Sequence, residues 1–143
     1  MGYDSQYILT IVGSFFFHLA VSEWLAYPLP RKLSPGFLTL PANRQVLLRN
    51  SVMSICHAAI IGGRALYMFL FVYGATPLED LWFQTPFYVH AACFSLAHMA
   101  ADSLLMTIYV PLRDWKMILH HAIVVWGCNN AIAGPTVQYV GNT

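Results

Sequence analysis

Two adjacent histidines, His120 and His121, stand about one turn inside an apolar segment, and Asp102 stands in the apolar segment before it. Ionisable groups inside hydrocarbon are costly unless they find partners or a watery cavity, so their presence calls for a reason. An imidazole that titrates near neutrality can accept a proton or carry an acyl group, and a neighbouring carboxylate can set its tautomer and charge. His57, with Ser54 and Arg64 on the same apolar segment, belongs to the same set of candidates.

The composition identifies the solvent in which these residues work. The chain of 143 residues is 58% hydrophobic and 9% charged, with a mean hydropathy of +0.58. A soluble domain carries about 25% charged residues. Four apolar stretches, near 7–27, 51–73, 87–110 and 117–137, are long enough to cross a hydrocarbon core of about 30 Å. Asn129, Asn130, Gly134 and Pro135 weaken the far half of the last. The expected fold is all-α, a polytopic transmembrane helical bundle of about four spans forming a single membrane domain over 1–143.

Loop charge sets the expected orientation, because Lys and Arg in short connections stay on the cytoplasmic side. The connection over 28–50 holds Arg31, Lys32, Arg44 and Arg49, whereas that over 74–86 holds Glu79 and Asp80 and no base. Arg113 and Lys116 mark the following turn as cytoplasmic as well. Both termini are then lumenal, and the first segment reads as a retained span, not a cleaved signal. The linker 28–50 is expected to lie along the membrane surface.

Depth groups the polar residues. At 1.5 Å per residue from the cytoplasmic ends, His120, His121 and Glu23 fall roughly 6 Å in, His57 roughly 10 Å, Asp102 roughly 12 Å and His18 roughly 13 Å. Helical spacing also gives each span one polar face: Ser14, His18 and Ser22 on the first, Asn50, Ser54, His57 and Arg64 on the second, and Ser95, His98, Asp102 and Tyr109 on the third. Lipid cannot satisfy such faces, so they must meet. A shared polar cavity opening toward the cytoplasm is the expected result.

Other polar or small residues have plainer readings. His18, His90 and His98 read as interhelical hydrogen-bonding posts, and Glu23 as an interfacial carboxylate reaching the headgroups. Arg64, roughly 21 Å from the cytoplasmic end, needs a carboxylate partner, for which Asp102 is the obvious choice. Gly62 and Gly63 suggest close helix contact. Cys56, Cys93 and Cys128 form no CxxC pair and read as apolar packing.

The strings Asn50-Ser51-Val52-Met53-Ser54-Ile55-Cys56-His57-Ala58, Ala101-Asp102-Ser103-Leu104-Leu105 and Asp114-Trp115-Lys116-Met117-Ile118-Leu119-His120-His121 resemble successive stretches of the TLC-domain family. Val21-Ser22-Glu23-Trp24-Leu25 looks most like one branch of it. The resemblance spans about 22–127 and implies a multi-span bundle of the endoplasmic reticulum or related endomembranes, connected with lipid synthesis, sensing or trafficking. In the ceramide synthases of that family, paired histidines and later aspartates belong to an acyl-transfer site. Only the pair is matched here, by His120 and His121. Val124 stands where those enzymes carry threonine, their later Asp-rich helix has no counterpart, and Arg64 is unexpected in the second span. The resemblance implies a partial TLC domain, truncated relative to the family.

The leading expectation is a multi-pass membrane protein of lipid homeostasis that binds a membrane lipid or acyl chain through Ser54, His57, Arg64, Asp102, His120 and His121. The alternative is a ceramide-synthase-like N-acyltransferase, with His120, His121 and Asp102 as its catalytic residues. Metal-dependent oxidation would call for several HxxxH or HxxHH boxes, and the chain has one His pair and no such box, so no metal is expected. No cofactor and no nucleic-acid partner are expected, and a scaffold role or a homo- or hetero-oligomer fits a chain of this length.

Overall fold

The computed structural model describes residues 5–72 and 86–133. Its elements are α1 (Ser5–Ala20), α2 (Pro28–Leu33), α3 (Ala42–Tyr67), α4 (Pro86–Ile108) and α5 (Trp115–Ala133). A π-helical turn over Val21–Leu25 and 3-10 turns over Pro35–Thr39 and Val110–Leu112 lie between them, and another π-helical turn, Met68–Val72, follows α3. Among the described residues there is no strand, in keeping with the rule that a chain in lipid closes its backbone hydrogen bonds within helices. Three stretches are long and apolar enough to span: Ser5–Leu33, Ala42–Phe71 and Tyr88–Ile108. The expected fourth forms as α5, whose 19 residues reach about 28 Å. Lys116, Asn129 and Asn130 dilute its apolar character. The end of that expected span beyond residue 133 and the connection carrying Glu79 and Asp80 lie outside the described residues.

The basic linker is more helical than its proline content suggests. Pro28 and Pro30 sit in the first turn of α2, where a missing N–H costs nothing. The second long helix then begins at Ala42, nine residues before the expected start at 51, because 42–50 contains neither Gly nor Pro to stop it. Side chains fix the other corner. Arg113 donates from Nε to the Met106 carbonyl at 3.0 Å and from Nη2 to the Thr107 carbonyl at 2.6 Å, satisfying acceptors at the end of α4. One residue on, Asp114 Oδ1 accepts the Lys116 N–H at 3.0 Å and caps α5.

Ring and side-chain contacts give the directions of the helices. Thr10 meets His90 and His18 meets His98, so α1 and α4 run parallel. Met53 packs with Leu105 and Met106 while His57 meets His98, so α3 runs against α4. Ser103 meets His121 and Cys93 packs near Ile132, so α5 is antiparallel to α4 as well. The most apolar window of α4 is 44% buried against 6% for that of α3, which makes α4 the central helix. Two apolar cores stand at opposite ends: Val21, Met53, Leu105, Met106 and Leu112 at the end of the basic linker, and Val89, Ala92, Cys93 and Ile132 at the other. The three cysteines pack in or against these cores, as expected. The outer surface presents Leu9, Phe16, Ile55, Phe69 and Trp126 to the hydrocarbon.

The orientation is checked by Lys32→Cys, which adds a surface thiol to a chain whose own cysteines are intramembrane. A membrane-impermeant maleimide should label it once the plasma membrane alone is opened. Labelling that waits until internal membranes are dissolved would reverse the assigned topology.

Candidate functional site

The polar rows of α1, α3 and α4 meet in three tiers. At the basic end, Arg49 on α3 reaches the π-helical turn. Its Nη2 lies 3.1 Å from Glu23 Oε2 and donates to the Ser22 carbonyl at 3.4 Å, and its guanidinium stands 5.6 Å from the centre of the Tyr27 ring. Beside it is a small, partly open cleft, walled by Val46, Leu105 and Leu112 and edged by Ser22, Arg49, Asn50 and Tyr109. Ser22, Asn50 and Tyr109 are the members of the three rows nearest this end, so the cleft forms where the rows run out. Arg49 Nε and Asn50 Oδ1 are buried with no hydrogen-bond partner among the described residues.

About a turn deeper along α4 is Asp102, which is 1% exposed. Its Oδ2 lies 3.0 Å from Nε2 of the buried His121 on α5. The approach is off the line that a hydrogen bond requires, so the contact is electrostatic, and Asp102 Oδ1 has no hydrogen-bond partner among the described residues. On the other side of the ring, Nδ1 lies 3.0 Å from Ser103 Oγ. His121 therefore bridges a carboxylate and a hydroxyl that are adjacent in sequence. With its proton on Nε2, facing the carboxylate, the imidazole accepts the Ser103 hydroxyl proton at Nδ1, the arrangement of a base held in orientation by an acid.

The third tier consists of imidazoles. His18, His57 and His98 come from α1, α3 and α4, with centroid separations of 5.5 Å for His18 and His57, 4.9 Å for His18 and His98, and 4.1 Å for His57 and His98. The last pair is stacked, with 9° between planes, and Phe94 closes one side 4.6 Å from His18.

The expected site residues separate into these tiers. Asp102 and His121 form a pair, and His57, half-buried, joins His18 and His98. Ser54 lies half-buried one turn from His57. His120 is exposed, its ring 6.0 Å from that of His121, because neighbouring side chains on a helix diverge by about 100°. The expected pairing of Arg64 with Asp102 is not found. Arg64 lies seven residues beyond His57 and Asp102 four beyond His98 on antiparallel helices, which places them about 16 Å apart along the axis. His90 is an interhelical post, its Nδ1 2.9 Å from Thr10 Oγ1. Glu23 serves Arg49. Among the described residues an added Cβ at Gly62 or Gly63 would meet nothing within 4 Å, so no helix described packs closely on them.

Sequence reasoning missed Ser103 and the cleft residues Arg49 and Asn50 as site members, although Ser103 adjoins Asp102 and Asn50 heads the polar row of α3. It also read His18 and His98 as separate posts. The depth of His18, close to that of His57, was a partial signal that they meet.

A bundle of apolar helices with a polar interior of this kind is a polytopic membrane protein. No family model matches the chain, and no solved structure matches it. It is similar to TLC domain-containing protein 4 from Homo sapiens, with 25% identity over 130 residues that cover 90% of this chain and 49% of that protein. The chain thus spans about half the length of the curated relative it matches.

The Asp102–His121 pair ties α4 to α5. Asp102→Ala, which leaves the buried imidazole without its partner, should lower stability by about 1–3 kcal/mol. Asp102→Asn, which keeps an oxygen there, should cost less. Thermal unfolding of the detergent-solubilised protein measures both, and an unchanged midpoint in Asp102→Ala would remove the pair from any structural role.

Proposed function

We propose that the chain is a TLC-type multi-pass membrane protein of lipid homeostasis, in the branch represented by TLC domain-containing protein 4, and that it binds a membrane lipid in the cleft at the basic end. The observation that carries this reading is the pair of buried, unpartnered polar atoms there, Arg49 Nε and Asn50 Oδ1. A donor on a cation beside an acceptor on an amide suits a phosphate or carboxylate next to a hydroxyl or amide, the composition of a lipid headgroup. Val46, Leu105 and Leu112 would hold the first carbons of the chain, which continues along the exposed apolar face. His57, Ser54 and Asp102 lie deeper along the same rows, His121 on α5 meets Asp102, and His120 faces outward near the same end, so each is within the region a bound lipid would approach. Arg64 lies on the far side of the imidazole tier and would contact a chain only at depth. An endoplasmic-reticulum or related endomembrane location goes with the family reading.

A second reading, N-acyl transfer, is favoured by the Ser103–His121–Asp102 arrangement. There His121 would take the proton of an attacking amine as its nitrogen bonds to the acyl carbonyl carbon. The thioester C–S bond breaks, and the departing thiolate receives that proton.

Lipids that co-purify with the full chain in nanodiscs test the first reading. One lipid class should be enriched several-fold over the bulk membrane and should fall to bulk level in Arg49→Ala and Asn50→Ala. In cells, the double variant His120→Ala/His121→Ala should alter the lipidome at equal expression. Bulk composition in every sample together with an unchanged lipidome overturns lipid binding. For the second reading, labelled acyl-CoA and a sphingoid amine should yield amide with the wild-type chain and none with His121→Ala. No amide from either rejects it.

A further inference from the structure

The imidazole tier has a use that neither lipid binding nor acyl transfer requires. One ring nitrogen from each of His18, His57 and His98 lies within 4.8 Å of the other two. From this convergence we propose that His18, His57 and His98 bind a divalent first-row transition-metal ion of the zinc class, linking α1, α3 and α4.

The hydrogen-bond pattern favours an ion over a network of imidazoles. His18 Nε2, His57 Nδ1 and His98 Nδ1 are all buried without a hydrogen-bond partner among the described residues. Buried polar atoms of this kind are rare in folded proteins and call for a partner. The rings cannot supply it to one another through the stacked pair. Lone pairs and N–H bonds lie in the ring plane, and His57 and His98 are parallel within 9°, so their polar edges point past each other. A cation accepts lone pairs from all three.

His18 is already prepared for such a role. Its ring is fully buried, and its Nδ1 lies 2.6 Å from the Ser14 carbonyl oxygen. A carbonyl can only accept, so Nδ1 carries the proton and Nε2 keeps its lone pair. Metal-binding histidines are oriented in this way, with the second nitrogen donating to a backbone carbonyl or carboxylate. Three imidazoles without a thiolate or carboxylate select borderline ions such as zinc over calcium or magnesium, which prefer oxygen. At a Zn–N length of about 2.0–2.1 Å, tetrahedral ligands stand roughly 3.4 Å apart, so the rings must turn and close by about an ångström. The half-exposed His57 has the freedom to do so. Three protein ligands leave a fourth position for water or another oxygen ligand.

The test uses the full chain, purified through a tag without histidines, stripped with chelator, reloaded with zinc and desalted. Elemental analysis should find about one zinc per chain. His57→Gln, a half-exposed position whose variant is checked for helicity by circular dichroism and for monodispersity, should weaken zinc binding by at least about tenfold. His18→Gln and His98→Gln should do the same where they fold, and His90→Gln and His120→Gln should leave it unchanged. Cobalt titrated into the wild type should give visible d–d bands that His57→Gln lacks. A wild-type chain that retains no zinc and gives no cobalt bands overturns the site, as does zinc held equally by folded His57→Gln. Arg49→Ala should keep its zinc while losing lipid, so failure of the metal site and failure of the lipid reading give different results.

Discussion

Polar side chains inside a hydrocarbon solvent have to be answered by the protein itself, and the arrangement of this bundle follows from that requirement. Leucine gains little by leaving lipid for a helix interface, so apolar area alone cannot specify how the helices rotate. The rows on α1, α3 and α4 can. Each holds serines, histidines or a carboxylate at helical spacing, and turning any one outward would strand several groups in lipid. The burial of His18, Ser22, His98, Asp102 and His121, against a surface of leucine, phenylalanine and tryptophan, shows the rows turned inward.

The same requirement sorts the interior by depth. From the basic end inward, α4 contributes Leu105 to the cleft, with Tyr109 just past its end, Asp102 and Ser103 to the contact with His121, and His98 and Phe94 to the imidazole tier. It is also the most enclosed of the long helices. Changes on α4 therefore reach all three tiers, whereas α3 touches the cleft through Arg49 and Asn50 and the imidazoles through His57, with much of its length against lipid. Arg49 is a hinge point between tiers and linker, since one guanidinium meets Glu23, the Ser22 carbonyl and the Tyr27 ring.

The spans and polar rows were legible because polar residues stand out against an apolar background and the helical period places them on faces. That reasoning holds along one helix and weakens between helices. Arg64 and Asp102 looked like partners by charge, yet antiparallel packing carries them to opposite sides of the histidines. The link from Ser103 to His121 depends on how α4 and α5 rotate against each other, which no single-helix pattern encodes. The start of the second long helix at Ala42 was missed because proline and basic residues suggested a surface linker, while the residues that decide it, 42–50, contain no helix breaker. Gly62 and Gly63 fit a small-residue motif by composition but meet no neighbour among the described residues.

In the turn over Val21–Leu25, the Ala26 N–H reaches back to the Val21 carbonyl at 2.8 Å, five residues away. A regular helix holds residues four apart within about 40° of one another. The wider winding breaks that fixed azimuth, so one unbroken rod can aim His18 at α4 and, a turn later, Glu23 at α3. The stretch works as an angular vernier between two bearings. Removing one residue from it would restore ordinary pitch and, because four α-wound residues turn about as far as five π-wound ones, would leave the linker on its present bearing and change only the side chains within the turn.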